Sequence, residues 1–221
     1  MIPIDNIASD RIQIGYIEAT DMPGIGGDYP LLDERLTEWL DRRRGELNEQ
    51  EDRFRKACRD MLRFGRYKPT GRGKPASEYL LRSAREGTFP RINIPADINN
   101  YISLKYLVPI SVWDRDKINA ESLVFRTGRT GESFVFNPTG QILEIEDLVS
   151  GFARKGSEEI PIVTPVKDCQ LTKTGNDTRN ICVAIYYPAG CTEPVGLQQM
   201  VQEFCELLDG VAGRVSHIVP D

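Results

Sequence analysis

Histidine is almost missing from this chain: among 221 residues there is one, His217, four places from the end. A His-based metal site needs several such ligands, and a general base must be held within reach of its nucleophile, so catalysis here would have to proceed without histidine. Cysteine is sparse too. Cys58, Cys169, Cys182, Cys191 and Cys205 are odd in number and contain no CxxC pair, which argues against a zinc site or a disulfide framework and predicts reduced, mostly buried thiols. No apolar run approaches the ~20 residues of a membrane span. The segment Met1-Ile2-Pro3-Ile4-Asp5 lacks the basic flank and apolar stretch of a signal peptide, so the cytoplasm is the expected compartment. Internal repeats, low-complexity segments and dividing linkers are also absent. No cofactor and no metal are expected.

What is present is the composition of an ordinary soluble domain, 40% apolar and 28% charged, in a chain long enough to bury a full core. The net charge of -5 conceals a segregation. From Asp41 to Arg91 there are fifteen Lys or Arg against eight Asp or Glu, whereas the remainder has thirteen against twenty-five. A local basic block can steer a phosphate backbone on a protein that is acidic overall. Between Arg42 and Arg59, however, acids are interleaved as in a solvated helix with i,i+4 pairs, and that reading is preferred there. Arg63, Arg66, Lys68, Arg72 and Lys74 differ, because no acid follows until Glu78.

Periodicity sets out the elements. Isoleucines alternating over Arg11 to Glu18, before the glycine-rich loop Pro23 to Gly27, predict a strand. Leu31, Leu32, Leu36 and Leu40, then Leu47, Phe54, Ala57, Cys58, Met61 and Leu62, predict two helices. Gly65 to Pro75 holds three glycines and two prolines and is read as a loop, feeding a short helix from Pro75 that Gly87 ends. A basic loop running into a helix N-terminus is a sound phosphate contact, although its residues do not fit a Walker loop. A helix from Asp97 to Leu107, capped by Asp97, leads to a strand from Pro109 to Trp113. Further strands are expected over Ser122 to Arg126, Ser133 to Asn137, Gln141 to Ile145, Ile160 to Val166 and Ile181 to Tyr187, with Gly128 to Gly131 as a hairpin turn. A last helix, Val195 to Leu208, carries a core stripe. The result is an α+β single domain over 1–221, a mixed or antiparallel, sandwich-like sheet core with flanking helices. Within it, 1–64 packs on the body, 65–190 is the core and 191–221 is a C-terminal helix and tail.

Several motifs follow in a recognisable order. They are a short basic helix from Glu78 to Gly87, a Pro90-Arg91-Ile92-Asn93 turn, Asp97-Ile98-Asn99-Asn100-Tyr101, Pro109-Ile110-Ser111-Val112-Trp113-Asp114, Gly131-Glu132, and Thr178-Arg179-Asn180. From about Arg66 to Tyr187 the chain resembles the B-three/B-four editing domain of the bacterial phenylalanyl-tRNA synthetase beta subunit, and more closely the free-standing proteins built on it. The resemblance implies the fold, tRNA as partner through its acceptor end, and hydrolysis of misacylated aminoacyl-tRNA. It implies neither a membrane nor DNA. Three departures bear on chemistry: Asn99 stands at the family's threonine, Ser111 at its histidine, and Ala184 at the glutamate that recognises a tyrosine hydroxyl, while its glycine pair aligns with Thr164 and Pro165. Losing an acceptor for the phenol puts tyrosine selectivity in question, since discrimination by one hydroxyl depends on pairing it.

The residues nominated for catalysis are Asn100, Lys167 and Asp168, with Lys167 to stabilise negative charge and Asp168 to hold an amine or orient water. Substrate contacts are expected from Asn99, Ser111, Trp113, Pro165, Lys173 and Thr174. Contacts to tRNA are expected from Arg63, Arg66, Tyr67, Lys68, Arg72, Lys74 and Arg91. Two alternatives stay open: a non-catalytic RNA or small-molecule binding module on the same fold, and an enzyme acting on free amino-acid-like metabolites.

Overall fold

The alternating isoleucines near the N-terminus become the middle of a sheet, not an appendage to one. In the computed structural model, which describes residues 1–22, 29–191 and 195–220, the elements follow in this order: β1 (Ile4–Asn6), β2 (Ile12–Thr20), α1 (Pro30–Arg43), α2 (Glu49–Asp60), α3 (Ala76–Arg85), α4 (Ile94–Tyr106), β3 (Ile110–Asp114), β4 (Ser122–Thr127), β5 (Ser133–Val135), β6 (Ile142–Glu144), β7 (Val149–Lys155), β8 (Glu158–Val163), β9 (Ile181–Pro188), α5 (Leu197–Asp209) and β10 (Arg214–Ile218). The glycine-rich loop at Pro23 to Gly27 lies outside the described residues.

Two four-stranded sheets form the body, ordered β1-β4-β7-β8 and β10-β2-β9-β3, and β5 pairs with β6 as a separate hairpin. The β1/β4 pair is parallel and the others are antiparallel. In the second sheet β2 and β9 run together from Ile12 opposite Pro188 to Ala19 opposite Ile181. Strand periodicity then puts Tyr16, Ser111, Trp113, Ala184 and Tyr186 on one face. That face meets the first sheet, where the rings of Phe125 and Tyr186 stand 6.1 Å apart, edge to face. The opposite face is covered by helices. A Cβ on Gly15 would come 2.7 Å from Val201 and 2.9 Å from Leu197, so α5 approaches β2 as closely as it does only because residue 15 has no side chain. The fold is therefore the expected α+β, sandwich-like core with flanking helices.

Local differences have identifiable causes. The helix expected from Asp97 begins at Ile94, with Asn93 as its cap accepting from the Ala96 N–H at 3.0 Å and Pro95 in its first turn. Asp97 lies inside the helix and accepts from the Ile92 N–H and from Arg91, both at 2.8 Å. Asparagine and aspartate both cap well, and the sequence alone did not separate them. The Gly128 to Gly131 turn links strands of two different sheets and is not a hairpin: β4 pairs with β1 and β7, while β5 pairs with β6. Glu132 fixes this turn by accepting from the Arg129 N–H at 2.6 Å.

Candidate functional site

A cleft of about 1510 Å³ opens between α2 and α3 on one side and the segment after β8 on the other. The α2–α3 wall is assembled by charge. Glu78 of α3 accepts from Arg55 of α2 at 3.0 Å and from the Arg59 guanidinium, which ties the two helices together at the cleft. Asp52 takes Arg55 at 2.6 Å and Lys56 at 2.8 Å, so ion pairing of the expected kind is found within α2, whereas the mixed-charge stretch as a whole is not one helix but is broken between Arg43 and Glu49. Further along α3, Tyr79 is 57% exposed, with the Arg82 guanidinium 5.3 Å from its ring centre. An exposed ring beside an arginine can receive a flat ligand face.

The basic loop enters from one end. Arg66, Lys68, Arg72 and Lys74 are all exposed, and none forms an ion pair among the described residues. Arg72 and Lys74 line the cleft. The loop is held by the Tyr67 hydroxyl, which donates to the Gly73 carbonyl at 2.8 Å, and by the Ala76 N–H, which donates to the Pro165 carbonyl at 2.9 Å. The first turn of α3 is thus fastened to the opposite wall.

That wall is a tight turn from Thr164 to Lys167. The Thr164 N–H donates to the Lys167 carbonyl at 3.1 Å, and the Thr164 hydroxyl accepts from the Lys167 N–H at 2.9 Å. Chain reversal brings Asp168 back beside Val163 and into the cleft. The Lys167 ammonium lies 3.5 Å from the centre of the Phe136 ring, and Lys173 donates to the Phe136 carbonyl at 2.7 Å. Burial, with Arg72 and Lys173 nearby, pulls the Lys167 ammonium below its ordinary value. Asp168 keeps some exposure as a residue, but its Oδ1 is shielded from water and has no hydrogen-bond partner. Burial pushes its carboxyl up to about 7, with the Ser111 hydroxyl and the Lys173 ammonium pulling the other way. A carboxyl that changes charge near neutrality, with the Lys173 ammonium acting on it, is suited to proton transfer or to holding an amine.

The nominated residues divide into two groups. Lys167, Asp168, Lys173, Arg72 and Lys74 come together in the cleft. Asn100, Asn99, Ser111, Trp113, Pro165, Thr174, Arg63, Arg66, Tyr67, Lys68 and Arg91 are not among its lining residues. Ser111, 0% exposed, stands behind the turn and donates to the Thr164 carbonyl at 3.1 Å. Trp113 is sealed in the core at 0% exposure against Tyr16, which makes it interior packing and not a substrate wall. Asn99 donates to Asn100 at 3.3 Å within α4, and its own Oδ1 is buried and unpartnered. Thr174 pairs with Asn93 at 3.2 Å, and Pro165 serves through its carbonyl. Arg63 pairs with Asp60 at 3.4 Å. Arg91 is committed to Asp97 at 2.8 Å and Asp33 at 2.6 Å, a brace between α1 and α4.

Sequence reasoning passed over Tyr79, Arg82, Phe136 and Tyr186. Tyr79 resembled a core residue of its helix, and Phe136 fell inside the strand expected over Ser133 to Asn137, whereas β5 ends at Val135 and leaves it just past the strand. The late Thr178-Arg179-Asn180 motif proves to be a brace: the Thr178 hydroxyl donates to Asp114, and the Asn180 amide donates to Asp116 at 2.7 Å. Among the described residues no cluster of His, Cys, Asp and Glu could hold a metal, and no helix is long and apolar enough to cross a membrane.

Together these features define an α+β sandwich with a cation-rich cleft at one end. Residues 64–192 match the family of the B3/4 domain, more than half of the chain, and the protein belongs to that family, whose domain occurs in the phenylalanyl-tRNA synthetase beta subunit. Membership places it among synthetase-related domains with an RNA-associated role. No curated protein matches the chain.

Proposed function

We propose that this protein binds the acceptor end of tRNA in the α2–α3 cleft and hydrolyses the ester of a misacylated aminoacyl-tRNA in trans. The observation that carries this reading is the convergence, in one cleft, of Asp168, the flanking Lys167 and Lys173, and the unpaired Arg72 and Lys74. The unpaired cations of the loop attract the phosphate backbone. Tyr79 with Arg82 offers a stacking surface to a terminal base. At the ester, Lys167 and Lys173 face the developing oxyanion, and Asp168 exchanges the proton of the attacking water. The activated ester needs no histidine. The family's phenol-accepting glutamate is replaced by Ala184, fully buried between Tyr16 and Ser111 in strand register, so tyrosine is not the expected substrate.

Deacylation of a panel of mischarged tRNAs, comparing wild type with a Lys167→Ala, Asp168→Ala variant, tests this. Loss of one charged species with wild type and its persistence with the folded variant is expected; a wild type inert on every species would sink the hydrolase reading.

A second reading, a non-catalytic RNA-binding module, is favoured by Ser111. It replaces the family's histidine, is wholly buried, and directs its hydroxyl inward at Thr164. Salt-sensitive tRNA binding without turnover would select it.

A further inference from the structure

Behind Asp168 lies a chain of hydroxyls that the proposed cleavage does not use. The Tyr186 phenol donates to Ser111 Oγ at 3.3 Å, and the Ser111 hydroxyl donates to the Thr164 carbonyl at 3.1 Å. Burial, above all, and the Asp168 carboxyl hold the phenol well above its ordinary value, so it remains a donor. A serine hydroxyl has one proton and two lone pairs. With that proton placed on Thr164, the Ser111 hydroxyl serves Asp168 only by turning toward it, and among the described residues the shielded Oδ1 has no hydrogen-bond partner. A carboxylate would lack a hydrogen-bond donor at Oδ1, with only the Lys173 ammonium to favour it, whereas a protonated carboxyl is tolerated. Loss of the Asp168 proton requires only that Ser111 turn from the Thr164 carbonyl to the carboxylate.

We propose that Ser111 and Tyr186 are positioning residues for Asp168: the Ser111 proton passes between the Thr164 carbonyl and the Asp168 carboxyl as Asp168 gains and yields its own proton, while Tyr186 fixes Ser111 for both states. The groups facing Asp168 are Ser111 from β3, Tyr186 from β9, and the Lys173 ammonium, with Lys167 beside it in the turn and Arg72 acting on Lys167 from the loop. The role in cleavage rests on the hydrolase reading. Ionised Asp168 takes a proton from water as the water oxygen bonds to the ester carbonyl carbon. The bond from that carbon to the ribose oxygen then breaks, and the proton passes from Asp168 to the ribose oxygen. One water is consumed, a free amino acid and a ribose hydroxyl are formed, and Asp168 returns to its initial state.

The test reads the carboxyl directly. Infrared difference spectra of wild type minus Asp168→Asn, taken across pH, isolate the Asp168 carbonyl band and its midpoint. In Ser111→Ala the ionised form loses its donor, so the midpoint rises by about one pH unit, the scale of one hydrogen bond's preference between two protonation states. Tyr186→Phe, which removes a single oxygen, shifts it in the same direction by less, and Ser111→Thr restores the wild-type value. An Asp168 midpoint in the ordinary carboxylate range, or one that neither Ser111→Ala nor Tyr186→Phe moves, overturns the proposal, and Tyr186→Phe decides it if Ser111→Ala does not fold. Deacylation with the same proteins separates the two claims: shifted midpoints without hydrolysis uphold the relay and remove the hydrolase reading, and hydrolysis with unshifted midpoints overturns the relay alone.

Discussion

The Tyr67 hydroxyl donates to the Gly73 carbonyl at 2.8 Å, closing the basic loop across six residues. Burial pushes that phenol up to about 12, so it serves as a donor throughout the ordinary pH range. Arg72 therefore projects from a short 3₁₀ turn, Gly71–Gly73, whose shape is pinned from within. Tyr67→Phe is expected to cost about 0.5–1.5 kcal/mol, the net worth of one hydrogen bond. It should weaken tRNA binding a few-fold without changing its salt dependence, since no cation is removed. Thermal unfolding and affinity across a salt series read both; a large affinity loss at unchanged stability would instead assign Tyr67 to direct RNA contact.

Arginines of the basic block should separate by their partners. Charge reversal at Arg72 and Lys74, which are exposed and unpaired, should weaken tRNA binding and flatten its salt dependence while leaving stability near wild type. Arg91→Ala should do the opposite, because it frees the buried Asp97 carboxylate and opens the α1–α4 brace. The expected loss is about 1–3 kcal/mol, as for a buried charged group left without its partner. Equal effects of both changes on binding would show that the footprint is drawn wrongly.

Glu78 is where α2 and α3 are joined. Glu78→Gln halves the acceptor capacity offered to Arg55 and Arg59, and a destabilisation of about 1–3 kcal/mol is expected, with the cleft wall loosened. Faster hydrogen exchange confined to α2 and α3 would support this clamp; unchanged exchange there would rule it out.

Asp168 sets a sign for stability against pH. Its carboxyl is raised from an ordinary 3.8 to about 7 in the folded chain, so between those values the native state holds a proton that the unfolded chain has released. The contribution of this group is fully present below about pH 4 and is lost as pH rises through about 7. Urea unfolding at several pH values should show that decline, and Asp168→Asn should remove it. A variant with the same pH slope as wild type would contradict the assignment.

Gly65 has φ of +47°, and a Cβ there would lie 2.1 Å from Asp147 Oδ2, the oxygen that accepts from the Arg66 N–H at 2.7 Å. Gly65→Ala should therefore cost about 1–3 kcal/mol through left-handed backbone strain and displacement of Asp147. Denaturant titration measures it, and a neutral result would mean that the loop relaxes freely.

Sequence by itself determined the elements with strong local signals. The isoleucine alternation became β2, the leucine spacing became α1, and the proline and glycine punctuation became the loop before α3, because period and backbone restriction act over a few residues. The ordered motifs from Glu78 to Asn180 were sufficient for the family, and Lys167, Asp168 and Lys173 were legible as a charged group near a strand end. Tertiary structure decided the rest. β7 was hidden by Gly151, which breaks the apolar pattern yet is required because a Cβ would come 2.7 Å from Val163 and 2.9 Å from Phe125. β10 exists through its pairing with β2, about two hundred residues earlier in the chain. Which cations remain free, why Trp113 is core, and how Tyr186 and Ser111 come to stand behind Asp168 all depend on which surfaces meet when the two sheets close. That is a property of long-range packing, and no local period encodes it.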